Sequence, residues 1–297
     1  MAINMNSLCI RCLTQKHLQA AEKLDFQKAQ GFTKDFLELM RKALDGNNST
    51  VVAAQINRLY QQHFGLEQDR YMEEKRLSNA FIKARLPRIT ALVESQEDPV
   101  YAGLQFAVLG NYLDFSALMD QVSFEKLDEM LEDALKLELD LQVYGQLCAE
   151  LEKAKRLLYV TDNAGEIGFD RICAQQLQKK YPQLQITFCV RGGPAHNDAL
   201  REDAAFMELE FPLVDTGNDV GGLDLPNLGA EAKKAMDEAD VILAKGMGNT
   251  ESTFGCEYNI YYAFLVKCLR FQEFFNKPYM TPMLVKNAPG VFSNAEC

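Results

Sequence analysis

A chain of 297 residues, 47% hydrophobic and 25% charged, carries enough apolar material for one large core or two smaller ones, which excludes a disordered protein. Its formal net charge of −11 excludes non-specific nucleic-acid binding, which needs a basic surface to neutralise phosphates. No apolar run reaches the roughly 18 residues of a membrane span, Met1-Ala2-Ile3-Asn4-Met5-Asn6 lacks the regions of a signal peptide, and the eight scattered cysteines suit reduced thiols. A cytoplasmic protein without membrane or nucleic-acid partners is the expectation.

The first half reads as helices. Phe36, Leu37, Met40 and Leu44 recur at helical spacing, as do Val52, Ile56, Leu59 and His63 after the capping candidates Ser49 and Thr50, with Gly46 and Gly65 as stops. A polar helix is expected from about Glu67 to Leu86, ending before Pro87, and another starts near Asp98-Pro99. Two amphipathic helices follow between Ser123 and Lys155. From Leu157 the texture changes. Strand-length apolar runs at Leu157–Thr161, Leu184–Val190, Val241–Ala244 and Met283–Val285, with a weaker one at Leu209–Val214, alternate with helical stretches at Ile167–Tyr181, Asp198–Met207, Gly229–Glu238 and Phe254–Phe275. The aromatic run from Tyr258 to Phe275 is read as core helix. The expected fold is α/β: a helical region over residues 1–150, packed on a three-layer α/β/α domain over 151–297 with a mostly parallel sheet.

Polar residues gather where these strands end. The first run stops in Asp162-Asn163-Ala164-Gly165-Glu166, the second in Arg191-Gly192-Gly193-Pro194-Ala195-His196-Asn197-Asp198, and the third in Lys245-Gly246-Met247-Gly248-Asn249-Thr250-Glu251. Parallel sheets bind ligands beyond their carboxyl ends, where glycines let backbone approach closely. Each loop could instead be a turn with a helix cap, and Asp162 or Asn163 taken alone is a good N-cap. Jointly the loops favour a site. Oxygen donors at Asp162, Asn163 and Asp198 suit Mg²⁺ or Mn²⁺, and Lys245 with the glycine-rich backbone suits phosphoryl charge. No G-x-x-x-x-G-K-[ST], G-x-S-x-G or H-E-x-x-H occurs, and no clean G-x-G-x-x-G follows Val160.

At these positions the sequence resembles the metal-dependent damage-control phosphatases, formerly a domain family of unknown function. The resemblance rests on Asp162-Asn163-Ala164-Gly165-Glu166, Gly193-Pro194 with Asn197-Asp198, Lys245-Gly246-x-Gly248-Asn249 with Glu251, Gly110-Asn111-x-x-Asp114-Phe115, and Cys9-x-x-Cys12, the mark of a compact prokaryotic branch. It spans nearly the whole chain. It implies hydrolysis of phosphate monoesters of small metabolites, such as sugar phosphates or damaged side-products, with a divalent ion (Mn²⁺, Mg²⁺, Co²⁺ or Ni²⁺). By resemblance Asp162, Asn163 and Asp198 are metal ligands, and Glu166, Lys245, Gly246 and Asn249 surround the phosphate. The family also shows a lysine on its last strand followed closely by a cysteine. Lys286 is taken as that lysine, although Asn287-Ala288-Pro289-Gly290 follows it. In the expected mechanism Lys245 clamps phosphoryl charge, and the attacking group is either water activated by the metal or the Asp162 carboxylate.

Asn111 and Asp114 are candidate substrate-pocket residues, with local backbone capping as the rival role. Cys9 and Cys12 read as small buried residues rather than half a zinc site, because His17, Cys148 and Cys297 lack the spacing to complete four ligands. His196 has no evident partner, and His63 belongs to a helix face. Two other classes stay open: a carboxyl methyltransferase using S-adenosylmethionine, and a non-catalytic protein that binds a metal or phosphometabolite.

Overall fold

The computed structural model describes residues 3–114 and 123–289, so Phe115, Gly290 and Cys297 lie outside the described residues. The chain opens with α1 (Ser7–Leu24), α2 (Phe26–Ala43) and α3 (Ser49–Phe64). Side chains of Asn6, Asp25 and Asn48 accept from their first-turn N–H groups, and Gly65 ends α3 at φ 67°. Their apolar faces close on Phe32, Phe36, Ile56 and Tyr60. The single helix expected over 67–86 is shorter. It runs as α4 (Met72–Lys83), and Pro87 falls within the first turn of α5 (Leu86–Glu94), where a missing N–H costs nothing. Then come α6 (Pro99–Gly110), α7 (Phe124–Glu132) and α8 (Leu141–Leu151).

The alternating half contains β1 (Arg156–Val160), α9 (Glu166–Lys180), β2 (Gln185–Val190), α10 (Arg201–Phe206), β3 (Leu213–Asp215), α11 (Ala230–Glu238), β4 (Val241–Lys245), α12 (Gly246–Thr253), β5 (Ile260–Leu265), α13 (Leu269–Phe275) and β6 (Pro282–Lys286). The sheet order is β3-β2-β1-β4-β5-β6, parallel throughout except for β6, which runs antiparallel to β5.

The helix expected over 254–275 is corrected. Its middle is β5, only its last part, α13, is helical, and α12 precedes it. Ile260-Tyr261-Tyr262-Ala263-Phe264-Leu265 is buried at every position, so it shows neither a period of two nor a period of 3.6. Pairing with β4 on one side and β6 on the other makes a strand of this aromatic run.

One face of the sheet is covered by α6 and α9, which pack closely because α6 carries glycines at the contact. A Cβ on Gly103 would stand 3.0 Å from the Cys173 Cα, and one on Gly110 2.6 Å from the Phe169 ring. The buried cluster on this side runs without a break from Ile82, Val93 and Leu104 into Tyr159, Phe188 and Leu243. Leu223, Met236, Phe254 and Phe271 cover the opposite face. Chain order reverses direction between β1 and β4, which are neighbours with Val160 opposite Ala244. The loops that follow them diverge and leave a crevice at their carboxyl ends.

Candidate active site

Asp162 stands two residues beyond β1 and does not cap the next helix. The N-cap of α9 is Gly165, at φ 78°, with no side-chain cap. The Asp162 carboxylate instead accepts from Asn111 Nδ2 at 2.7 Å and Asn163 Nδ2 at 2.8 Å. Glu166, in the first turn of α9, is fully buried and accepts from the same two amides, at 3.2 and 2.7 Å. Asn111, at the end of α6, accepts through Oδ1 from the N–H of Leu265, the last residue of β5, so one amide ties α6 and β5 to the turn.

Asp198 joins them across a backbone bridge. Asn163 pairs antiparallel with Asp198, Ala199 N–H donates to Asp162 O at 2.7 Å, and Asn197 Nδ2 donates to Asn163 Oδ1 at 3.0 Å. Arg191 is 1% exposed. Its Nε donates to Asp198 Oδ2 at 2.6 Å and its Nη2 lies 3.9 Å from Asp162 Oδ1, yet both terminal nitrogens lack a hydrogen-bond partner. Burial, then repulsion from Asp198 and Glu166, pushes the Asp162 carboxyl well above its ordinary pKa. Burial raises Asp198 to about 6, with Arg191 opposing the rise.

Lys245, the last residue of β4, lies behind this layer and is fully buried. Its ammonium donates to Ala107 O at 2.8 Å, Glu166 Oε1 at 2.6 Å and Asp170 Oδ1 at 2.7 Å, which uses all three of its donors. Burial disfavours its charge, but Asp170 and Glu166 more than offset this and raise its pKa. Asp170, on α9, is itself raised to about 7 by burial. Lys245, expected as a phosphoryl clamp, here holds Glu166 and Asp170. Asn249 is also structural here, its Nδ2 bridging Thr161 O at 3.0 Å and Lys245 O at 2.6 Å while its buried Oδ1 has no partner.

Gly246 opens α12 at φ 78°, and a Cβ there would stand 2.1 Å from Asp162 Oδ2. Gly246→Ala is expected to destabilise the fold, with about 1–2 kcal/mol from the left-handed backbone alone and more from displacing Asp162. Urea unfolding measures this, and an unchanged midpoint would contradict the packing.

Lys286 is not brought to the cluster. It pairs with Glu150, 5.3 Å over the Tyr261 ring, and is corrected as a site residue. Lys267, two residues beyond β5, is the lysine that reaches the cluster instead. Its Nζ donates to Asp114 Oδ2 at 2.6 Å and Asn111 O at 2.7 Å. The signal was in the sequence, since Lys267-Cys268 is a lysine followed by a cysteine. Sequence reading also missed Asn79 on α4, which accepts from Gly165 N–H at 2.7 Å and donates to Asp203 at 2.6 Å, and Gly221, which faces His196 and Asp198. His196 adopts φ 51°, and burial reinforced by Lys16 lowers its pKa to about 4. His63 meets Asp35 at 2.8 Å on a helix face. Cys9 is half-buried and Cys12 exposed, and both are free thiols. Among the described residues no three His, Cys, Asp or Glu side chains form a metal cage, and no helix is long and apolar enough to cross a membrane.

Comparison with known proteins adds an independent line. The profile of the damage-control phosphatase ARMT1-like domain matches residues 5–278. An uncharacterized protein of Methanocaldococcus jannaschii is 29% identical over 281 residues, covering 90% of each chain. A damage-control phosphatase of Archaeoglobus fulgidus is 32% identical over 203 residues, 67% of this chain and 69% of the relative. One from Pyrococcus horikoshii is 34% identical over 151 residues, 50% of this chain and 51% of the relative. The crystal structure of a DUF89 family protein from the same organism superposes with a TM-score of 0.80 at 24% identity, over 96% of this chain and 99% of that one, and shows the same fold. With the family profile matched from the first helix to the last, the chain belongs to the damage-control phosphatase ARMT1-like family.

Proposed function

We propose that this protein is a divalent-metal-dependent phosphatase acting on phosphate monoesters of small metabolites. The observation that carries the reading is a charge imbalance in the crevice. Asp114, Asp162, Glu166, Asp170 and Asp198 are all buried, against the buried cations Arg191, Lys245 and Lys267. Ionised carboxylates are costly to bury without compensation, and the excess of two negative charges matches one divalent cation. The donors fit such an ion in part. Asp162 and Asp198 are hard oxygen ligands joined by the backbone bridge, whereas Asn163 has its nitrogen toward Asp162 and its oxygen toward Asn197, so it would ligate only after turning its amide. When bound, the cation polarises phosphoryl oxygens and makes the attacking water more acidic.

The chain's own residues divide the remaining work. Arg191, with two buried terminal nitrogens unpartnered, is suited to grip phosphoryl oxygens. Asn111 and Glu166 orient Asp162 and Asn163, while Lys245 and Lys267 hold Glu166 and Asp114 in place. Gly246 leaves room for the Asp162 carboxylate. The names of the A. fulgidus and P. horikoshii relatives favour this reading over a methyltransferase.

Chelator-treated protein is expected to release phosphate from an ester panel only after Mn²⁺, Mg²⁺, Co²⁺ or Ni²⁺ is restored. Metal-independent turnover, or none with any ester, would sink the proposal. A pH signature accompanies it. A carboxyl whose folded pKa is raised binds more protons folded than unfolded, so metal-free stability declines as pH rises through the window from the ordinary carboxyl range to about 6 for Asp198. The penalty from Asp198 alone is on the order of 3 kcal/mol. Metal-free protein should melt lower at about pH 7.5 than at about pH 5, and Mn²⁺ should raise the melting temperature more at the higher pH.

A further inference from the structure

Resting on the phosphatase reading, we propose that Gly221 is a specificity-determining residue. Its missing side chain keeps open the space beside Asp198 that receives the ester-bearing carbon of the substrate, so that esters of secondary alcohols fit as well as those of primary ones. Gly221 lies in the loop after β3, which sequence reading left outside the site. Three glycines fall in that loop, and two of them have a reason within the fold. Gly217 adopts φ 74°, and a Cβ there would stand 2.8 Å from the Gly229 Cα. A Cβ on Gly222 would stand 2.7 Å from the Gly248 carbonyl oxygen and 2.8 Å from Ser252 Oγ. Gly221 has no such reason. Its φ lies outside the left-handed region, and a Cβ would meet nothing closer than 3.7 Å, an ordinary van der Waals separation. The atoms it would meet are His196 Cδ2 at 3.7 Å and the Asp198 carboxylate, with Oδ2 at 3.8 Å and Oδ1 at 4.0 Å. The side chain is missing where the site, not the fold, would feel it.

The loop is held where it is. A Cβ on Gly248 would stand 2.0 Å from the Gly221 carbonyl oxygen, so the loop lies backbone to backbone on α12. Leu223 N–H donates to Ser252 Oγ at 2.9 Å, and Val220 N–H to Asn218 Oδ1 at 3.1 Å. On the other side Arg58, from α3, donates to Asp219 Oδ1 at 2.7 Å. In so closely packed a loop an added methyl is felt by a ligand before the loop swings away. Burial then orders the substrate. Arg191 and Asp198 are buried, with the terminal nitrogens of Arg191 unpartnered, whereas Gly221 and His196 are half-buried. A phosphate gripped by Arg191 occupies the inner end of the crevice, and its alcohol leaves past Gly221 and His196. The His196 ring is backed edge-on by Tyr71, with centroids 5.8 Å apart, so that wall does not yield either.

The test uses glycerol 1-phosphate and glycerol 2-phosphate, isomers whose ester carbon is primary in one and secondary in the other, with Mn²⁺ present. Wild-type kcat/KM values for the two should lie within about tenfold of each other, and Gly221→Ala should lower the value for the 2-isomer about tenfold relative to the 1-isomer. The urea midpoint of the variant should be unchanged or higher, because a compatible Gly→Ala exchange restricts the unfolded chain. Its Mn²⁺ affinity by calorimetry should stay within about twofold of wild type. Equal losses for the two isomers, no loss for either, a lower urea midpoint or a Mn²⁺ affinity weakened about tenfold would each overturn the proposal, as would a wild type that rejects the 2-isomer by about a hundredfold. If neither ester is hydrolysed by the wild type, the phosphatase reading fails. Calorimetry on the Mn²⁺-loaded protein then decides the role of Gly221: Gly221→Ala should weaken glycerol 2-phosphate about tenfold and leave inorganic phosphate within about twofold, and equal effects on both ligands would overturn it.

Discussion

Asp162→Ala is expected to abolish metal-stimulated phosphate release, by on the order of a thousandfold, as loss of a charged group in a closed site does. The fold should survive. Asn111 and Asn163, which donate to Asp162, both retain Glu166 as an acceptor, and removing one member of a mutually repelling carboxyl set relieves rather than adds strain. A melting temperature at or above the wild type in the metal-free protein, together with lost activity, is the predicted pair of results. Retained turnover would end the assignment of Asp162 to the chemistry. Arg191→Ala separates the phosphate grip from the metal site. Inhibition by inorganic phosphate should weaken by about tenfold, whereas metal titration should still saturate. Unchanged phosphate inhibition would leave Arg191 only as a partner of Asp198.

Lys245→Met should produce the largest loss of stability, about 3–5 kcal/mol, because it strands Glu166 and Asp170 in the core without their cation. The loss is read as a shift in the urea midpoint and should shrink at about pH 5, where the stranded carboxyls take up protons. A lysine whose main task was to grip substrate would behave differently: KM would rise and the midpoint would stay. Lys245 is a good example of a residue whose type and position were legible but whose destination was not. A lysine in a glycine-rich loop after a strand suggests an anion, yet its three donors are spent on Ala107, Glu166 and Asp170, contributed by α6 and α9.

The exchange of Lys286 for Lys267 has a related cause. Both lysines end or follow a strand near the carboxy-terminal part of the chain, and the choice depends on strand direction. β6 runs antiparallel to β5, so Lys286 at its end emerges at the opposite edge of the sheet from the crevice and meets Glu150. The short run past the parallel strand β5 delivers Lys267 to Asp114. With 254–275 read as one helix, β5 and its direction were hidden.

What the sequence determined by itself is local and periodic. Helical spacing set the helices that stop at Gly46 and Gly65, the second capped by Asn48 rather than by Ser49 or Thr50, Asp98-Pro99 marked the start of α6, and apolar runs ending in Asp162, Arg191 and Lys245 marked three parallel strands with their polar loops at one edge. Those features depend on neighbours a few residues away, so a linear reading reaches them. Only the tertiary structure decided which charges meet. Arg191 against Asp198, Lys245 against Glu166 and Lys267 against Asp114 are set by the strand order β3-β2-β1-β4-β5-β6 and by the close seating of α6 on α9. In a buried crevice each such pairing fixes what a side chain has left to offer a ligand, because an ammonium with three partners has no donor to spare, whereas a guanidinium with two unpartnered nitrogens does.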